Sequence, residues 1–346
     1  MMRRDFLSQA AASVAASWVA VGRAASSTQP RSSGIVQSVL GPLDASQLGF
    51  TLTHEHICRH PVTGPHGKAG LIAQAVARLK EARDAGIDTV IDVTPFDVGR
   101  DVRFGEAVSR KSGMQIVACT GQHFFAPASH DARSVQQITE TFIREIEQGI
   151  DDTDIKAGVI KVAARSGVMT PAEQKVFRAA ARASKATGIA VQTHTNSSER
   201  GGEAQAAIFA EEGLSPERVS LGHSNGTDDL GYLIGLARRG YTLGMDHAFW
   251  GMAPGATLSW QKRLEIVKQL IDAGFIHQLF LSNDWVFGDV ERDKVNPDGL
   301  LFTTRKTIPH LQHLGVTDRE IRIITIENPR RFFARQQISS RGATLG

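Results

Sequence analysis

Eight short runs of apolar and β-branched residues recur along the chain, and their spacing constrains the fold more than any other feature. They lie at Phe50–His56, Thr89–Val93, Gln115–Thr120, Gly158–Val162, Ala190–His194, Val219–His223, Thr242–Asp246 and Leu279–Asn283. Most gaps between them have room for a helix, and several show helical periodicity. Val135, Ile138, Phe142, Ile146 and Ile150 recur at three- and four-residue steps, which makes one apolar face. Thr170-Pro171-Ala172-Glu173 is a capping box with proline at the first helical position, and Gly188 ends that helix. Ser259–Ala273 is a further amphipathic stretch, ended by Gly274. Near-continuous apolar strands alternating with helices imply a parallel sheet covered on both faces. Eight such units in a chain of 346 residues predict an α/β fold, a (β/α)8 TIM barrel. The competing architecture is a doubly wound open sheet, but no glycine-rich phosphate-binding loop follows the first run.

A barrel enzyme gathers its chemistry at the C-terminal ends of the strands. Ionisable residues of this chain collect there. His54 and His56 close the first run, Lys161 ends the fourth, His194 and His223 close the fifth and sixth, and Asp284 follows the eighth. Residues two apart in a strand share a face, so His54 and His56 project together while Glu55 points away. Neutral imidazoles and a carboxylate converging on one mouth are a ligand set for divalent metal. Lys161 is the odd member, because an ammonium would be repelled by two cations. One reading packs its stem and pairs its head outside the barrel. The other has the neutral amine add carbon dioxide, giving a carbamate able to bridge two ions, which accounts for a lysine inside Gly158–Val162, where a bare cation would be costly.

The first 25 residues read as an export signal. Arg3-Arg4 precedes Phe6-Leu7, an alanine-rich apolar stretch runs from Ala10 to Val21, and small residues follow around Ala24-Ala25. The arginine pair predicts a twin-arginine signal, with an ordinary secretory signal as the alternative, and export to the periplasm or beyond. The stretch is too short and alanine-rich for a membrane span. Residues 26–33 are expected to be a disordered lead-in, and 34–346 a single catalytic domain. The net charge of +3 owes much to Arg3, Arg4 and Arg23, and no basic tract interleaved with aromatics appears, so no nucleic-acid partner is expected. Two cysteines, Cys58 and Cys119, make no disulfide framework and are expected as buried thiols.

The chain resembles the phosphotriesterase family (aryldialkylphosphatases, or parathion hydrolases) of the amidohydrolase superfamily from about Gly34 to Phe333. The resemblance rests on Gly49-Phe50-Thr51-Leu52-Thr53-His54-Glu55-His56, Ile160-Lys161-Val162-Ala163, Thr193-His194-Thr195, Gly222-His223-Ser224 and Ser282-Asn283-Asp284-Trp285, in that order and spacing. It implies a buried ion held by His54, His56, Lys161 and Asp284, and a more exposed one held by His194, His223 and Lys161. It also implies a hydroxide bridging the two ions, carboxylation of Lys161 by carbon dioxide, zinc as the metal with cobalt or manganese as other occupants, and a homodimer. Asp284 would accept a proton and His247 would carry it away. The expected substrate is a small-molecule organophosphate triester, with lactone or carboxylic ester cleavage as the alternative.

The departures from the family pattern bear on substrate. His123 and Phe124 stand where phosphotriesterases carry a Trp-Phe pair, and Gly226 stands where a relay aspartate is expected, with Asp228 and Asp229 nearby. The segments Ala248–Thr257 and Val286–Val295 are short, as in lactonase-like relatives. His123, Phe124, Phe249, Trp250, Trp285 and Phe287 are the expected pocket walls. Two other classes compete. A one-metal deaminase on the same barrel needs an acid after the fifth strand, where Thr195-Asn196-Ser197-Ser198 offers none, and would leave Lys161 without a use. A barrel that only stores metal has no need of Asp284 as a proton acceptor.

Overall fold

Parallel segments from Thr51 to Leu281 close into a barrel in the computed structural model, which describes residues 34–59, 67–125 and 132–335. The export signal and lead-in expected over residues 1–33, and the end of the chain past residue 335, lie outside the described residues. An antiparallel hairpin, β1 (Ile35–Ser38) and β2 (Gly41–Asp44), comes first. The barrel segments are β3 (Thr51–Glu55), β4 (Thr89–Asp92), β5 (Gln115–Val117), β6 (Cys119–Gln122), β7 (Val159–Ala163), β8 (Val191–His194), β9 (Val219–Leu221), β10 (Thr242–Met245) and β11 (Leu279–Leu281). Only Ala118 separates β5 from β6. β5 pairs with β4 and β6 with β7, so the two are one stave and the staves number eight. The eight runs read from the sequence are these staves. The hairpin was not among them, because four-residue strands carrying Gly41 and Pro42 give almost no β signal.

Alternation along the staves sorts the core into two layers. Leu52, Val90, Ile116, Ile160, Val162, Leu243, Leu279 and Leu281 pack with helix residues such as Leu79, Val108, Phe177 and Leu264. Ile91, Val117, Val159, Ala190 and Phe280 form a smaller cluster with Val36, Leu43 and the C-terminal Phe332 and Phe333, which plugs one end of the barrel. Above that plug the interior turns polar.

The helices start and stop where their chemistry dictates. Thr170 caps Pro171–Thr187 through a capping box with Glu173, and Gly188, at φ 74°, ends it. Ser134 caps Val135–Glu147, which buries Ile138, Phe142 and Ile146. Ser259 caps Trp260–Asp272. None of the described helices is long and apolar enough to cross a membrane. Cys58 and Cys119 are free, buried thiols.

The seam between the first and last staves positions the mouth. β3 pairs with β4 through a register shift between Leu52 and Glu55. This bulge lets Leu52 face the helix layer while His54 turns inward toward Lys161. His54 O accepts from Asp284 N at 2.9 Å, His56 N donates to Trp285 O at 2.8 Å, and Phe287 N donates to His56 O at 2.9 Å. Between these bonds lies the buried Glu55 carboxylate. It accepts from Ser282 Oγ (2.7 Å), Asn283 N (2.9 Å), Asn283 Nδ2 (3.0 Å) and Trp285 N (2.7 Å). Burial pushes this carboxyl up to about 8, against the pull of those hydrogen bonds. A buried donor left unsatisfied costs roughly 1–3 kcal/mol. Glu55→Ala orphans several at once and should lower the unfolding free energy by about 3 kcal/mol or more, measured by urea titration. A loss under about 1 kcal/mol would mean the seam does not depend on this carboxylate.

Candidate functional site

His54, His56, Lys161, His194, His223 and Asp284 come together inside the mouth, all buried except half-buried His194. Lys161 does not end its strand: it is the middle residue of β7, a layer deeper than the sequence suggested. Its long stem makes up the height, and Nζ reaches 2.8 Å from His54 Nε2 and 3.4 Å from Thr193 O. His56 Nε2 and His54 Nε2 lie 3.3 and 3.7 Å from Asp284 Oδ1. His194 Nδ1 and His223 Nε2 face each other at 2.9 Å. His247 Nε2 is 3.1 Å from Asp284 Oδ2, and its ring stacks on His223 with centroids 3.7 Å apart.

The other ring nitrogens are fixed from behind. His56 Nδ1 bonds Thr94 Oγ1 at 3.0 Å. Asp246, at the end of β10, sits between two histidines: Oδ2 lies 2.8 Å from His54 Nδ1 and Oδ1 2.8 Å from His223 Nδ1. Its Oδ1 also accepts from His223 N at 2.8 Å, which helps hold His223 at φ 60°. Asp284 is likewise in the left-handed region, at φ 53°. Such backbone is unfavourable for a side-chain-bearing residue and persists where its surroundings over-determine it. Sequence reading passed over Asp246, although its place at a strand end beside His247 was a signal.

The donor set fits divalent metal. His54, His56 and Asp284 offer ligand atoms within 4.8 Å of one another, as do His223, His247 and Asp284. Tetrahedral bonds near 2.0–2.1 Å put neighbouring ligand atoms roughly 3.3 Å apart, close to the separations found here. Burial, with Lys161 nearby, holds His54 and His194 well below the usual histidine range, and burial with His247 does the same for His223, so the rings present lone pairs. Burial alone would raise Asp284, but hydrogen bonds from His247 and His56 hold it well below the usual carboxylate range. Burial draws Lys161 down to about 8, opposed by Asp284 and Asp246, and none of the described carboxylates forms an ion pair with it.

A cavity of about 470 Å³ opens over the cluster. His194, His247 and Asp284 form its floor; Trp250, the Ala253–Thr257 segment, Arg263 and Arg292 form its walls. Of the expected wall aromatics, Trp250 lines it. His123 and Phe124 flank His194, with ring centroids 5.2 and 5.4 Å away. Phe249, Trp285 and Phe287 do not line it, which corrects that expectation. Phe249 packs on Trp250 and Phe302, and Phe287 on Phe104, while Trp285 is buried with Nε1 bonded to Asp293 Oδ1 at 2.9 Å. Asp229 caps Leu230–Arg238 and pairs with Arg200, and Asp228 is exposed, so neither stands in beside His247. The wall arginines had no sequence signal.

An eight-stave barrel with imidazoles and a carboxylate converging at its strand ends is the architecture of a metal-binding hydrolase barrel. The model of the phosphotriesterase family matches residues 34–333, and the chain belongs to that family. It is 34% identical over 322 residues to a phosphotriesterase homology protein of Mycobacterium tuberculosis, covering 86% of this chain and 96% of that one. An aryldialkylphosphatase of Saccharolobus solfataricus is 32% identical over 308 residues, with 84% and 97% covered. The solved structure of the phosphotriesterase from Mycobacterium tuberculosis superposes with a TM-score of 0.79 at 34% identity, covering 87% of this chain and 99% of that chain. The protein is thus a hydrolase of this family.

Gly222 shows how little room the cluster leaves. A Cβ there would lie 2.3 Å from Thr193 O and 3.1 Å from His54 Cε1. Gly222→Ala should therefore displace the His54 ring and lower the melting temperature, seen by crystallography and thermal unfolding. An unmoved ring would show the contact to be slack.

Proposed function

We propose that this protein is a binuclear metal-dependent hydrolase that cleaves phosphotriesters. The observation that carries the reading is the convergence of four imidazoles and the Asp284 carboxylate around a buried Lys161 that has no carboxylate partner among the described residues. His54, His56, Lys161 and Asp284 would hold one ion, and His194, His223 and Lys161 the other. Two ions, when bound, acidify a water and polarise the substrate's phosphoryl or carbonyl oxygen. Zinc suits the set, and cobalt or manganese would also be accommodated.

The chain's own residues supply the rest. Asp246 aligns one histidine of each ion's set through a single carboxylate. Asp284 takes the proton of the attacking water, and His247, 3.1 Å away and partly exposed, passes it to the cavity. With Gly226 carrying no side chain, His247 is the end of that route. Trp250 offers an apolar wall to the leaving group. A lysine drawn toward its neutral form by burial is a competent nucleophile for carbon dioxide, which supports carboxylation of Lys161. We further propose export by the twin-arginine segment of residues 1–25 and a homodimeric assembly.

Lactone or carboxylic ester cleavage would use the same centre. The short segment from β10 to helix Trp260–Asp272, which builds much of the cavity wall, supports it as the second reading. Comparing kcat/KM on a diethyl aryl phosphate, an aryl ester and an acyl lactone decides between them. We expect the phosphate to be turned over most efficiently; a lactone preference would transfer the assignment to the second reading. The purified protein should carry about two divalent ions per chain, and Lys161→Ala should lose them unless a short carboxylate is supplied. Unchanged metal content in that variant, measured by elemental analysis, would remove Lys161 from the centre.

A further inference from the structure

Arg263 is the unexplained charge of the cavity. It lies in the first turn of helix Trp260–Asp272, where a cation opposes the helix dipole, so helix stability does not account for it. It is only 8% exposed yet lines the cavity with His194, His247 and Asp284. Nη1 donates to Asn225 O at 2.8 Å and Nε to Leu258 O at 3.3 Å, which fixes the guanidinium plane. No described residue accepts from Nη2, and no described carboxylate lies within ion-pair distance. The neighbouring acids are engaged elsewhere: Glu265 with Lys262, Asp289 with Arg292, and Asp284 with His56, His247 and Arg292. Burial pulls Arg263 below its usual range with nothing set against it.

Gly226 keeps the charge unmatched. A Cβ at Gly226 would lie 3.9 Å from Arg263 Nη1, so an acidic side chain there could neutralise the guanidinium, and glycine cannot. The second cation of the wall, Arg292, differs. It bonds Asp284 O at 2.8 Å, pairs with Asp289 and lies over the Trp250 ring. A nearly buried cation without a counter-ion is costly, and a ligand anion is the partner that relieves the cost.

We infer that Arg263 is the anchor of an anion subsite, and that the preferred substrates carry a carboxylate or sulfonate at the end remote from the bond that is cleaved. This rests on the hydrolase reading for the location of that bond, but not for the binding of the anion. The cavity volume of about 470 Å³ suits a small ligand of that kind. Trp250 would meet its apolar middle. Arg263 is thus a specificity-determining residue and takes no part in bond cleavage.

Two diethyl aryl phosphates that differ only at the para position, carboxylate in one and methyl ester in the other, test it on the metal-loaded protein. Arg263→Gln should lower the ratio of kcat/KM for the anionic over the neutral compound by about tenfold or more, and Arg263→Lys should keep part of it. Should Arg263→Gln fail to fold, the double variant Ser197→Ala/Gly226→Asp quenches the charge with the arginine in place. Its serine substitution clears the Oγ that a Gly226 Cβ would meet at 2.6 Å. A parallel calorimetric titration follows benzenesulfonate binding, which needs no turnover and should weaken in the same variants. If both phosphates are cleaved and neither the ratio nor benzenesulfonate binding responds to either variant, the subsite is overturned and the hydrolase reading stands. If neither phosphate, ester nor lactone is cleaved while benzenesulfonate binding still depends on Arg263, the phosphotriester reading and its ester and lactone alternatives fail and the subsite stands.

Discussion

The Glu55 carboxylate joins the first stave of the barrel to the last, and the geometry of the mouth depends on that seam. Ser282, Asn283 and Trp285 all donate to it, so the three residues flanking Asp284 are fixed by one buried group. Asp284 itself is held in the left-handed region by its bond to His54 O. The same bulge that sends Glu55 behind the wall turns His54 and His56 inside it. One local irregularity thus sets both halves of the His54–His56–Asp284 group, and a smoothly alternating β3 would have put Leu52 and His54 on a common face.

A second constraint is electrostatic. The upper interior holds four histidines, a lysine and two aspartates largely withdrawn from water, and such groups survive burial only if neutral or matched. Burial holds the His54, His194 and His223 imidazoles toward the neutral form, and Asp246 is matched to two of these at once. Asp284 draws on His56, His247 and Arg292. Lys161 has no ionic partner among the described residues and is drawn toward the free amine. The interior is thus arranged around groups whose unfilled valence is lone pairs, which makes cations the natural complement. That complementarity, more than any one distance, is what fits the cluster to hold metal.

The barrel was legible in the sequence because it is written in short-range patterns: β-branched runs, capping boxes such as Thr170–Glu173, and glycine stops such as Gly188. The gathered cluster was legible because barrel topology brings strand ends together whatever lies between them. What escaped has a common cause. The partners of Glu55 lie more than two hundred positions away, and nothing local marks Asp246 as the carboxylate that sits between His54 and His223. Phe249, Trp285 and Phe287 looked like pocket walls because aromatics near strand ends usually face either the pocket or the core, and periodicity does not separate the two in loops. The family resemblance, carried by His54-Glu55-His56 and Ser282-Asn283-Asp284-Trp285, supplied roles that spacing alone left open.

The two constraints divide the molecule into a fixed centre and a selective wall. On the proposed mechanism, phosphorus and carbonyl carbon would draw on the same hydroxide and the same Lewis acid, so the centre below His194 and His247 would not discriminate between them. Discrimination would fall to the Ala253–Thr257 segment, Trp250 and the two arginines, of which Arg292 also reaches the seam through its bond to Asp284 O. Small residues in that segment leave the cavity wide, so shape alone would select weakly, as hydrophobic pockets do. Charge selects more sharply, because a buried guanidinium left unmatched penalises every ligand that cannot answer it. A wall that is permissive in shape and demanding in charge would sort substrates by what they carry at the far end more than by the bond they present to the centre.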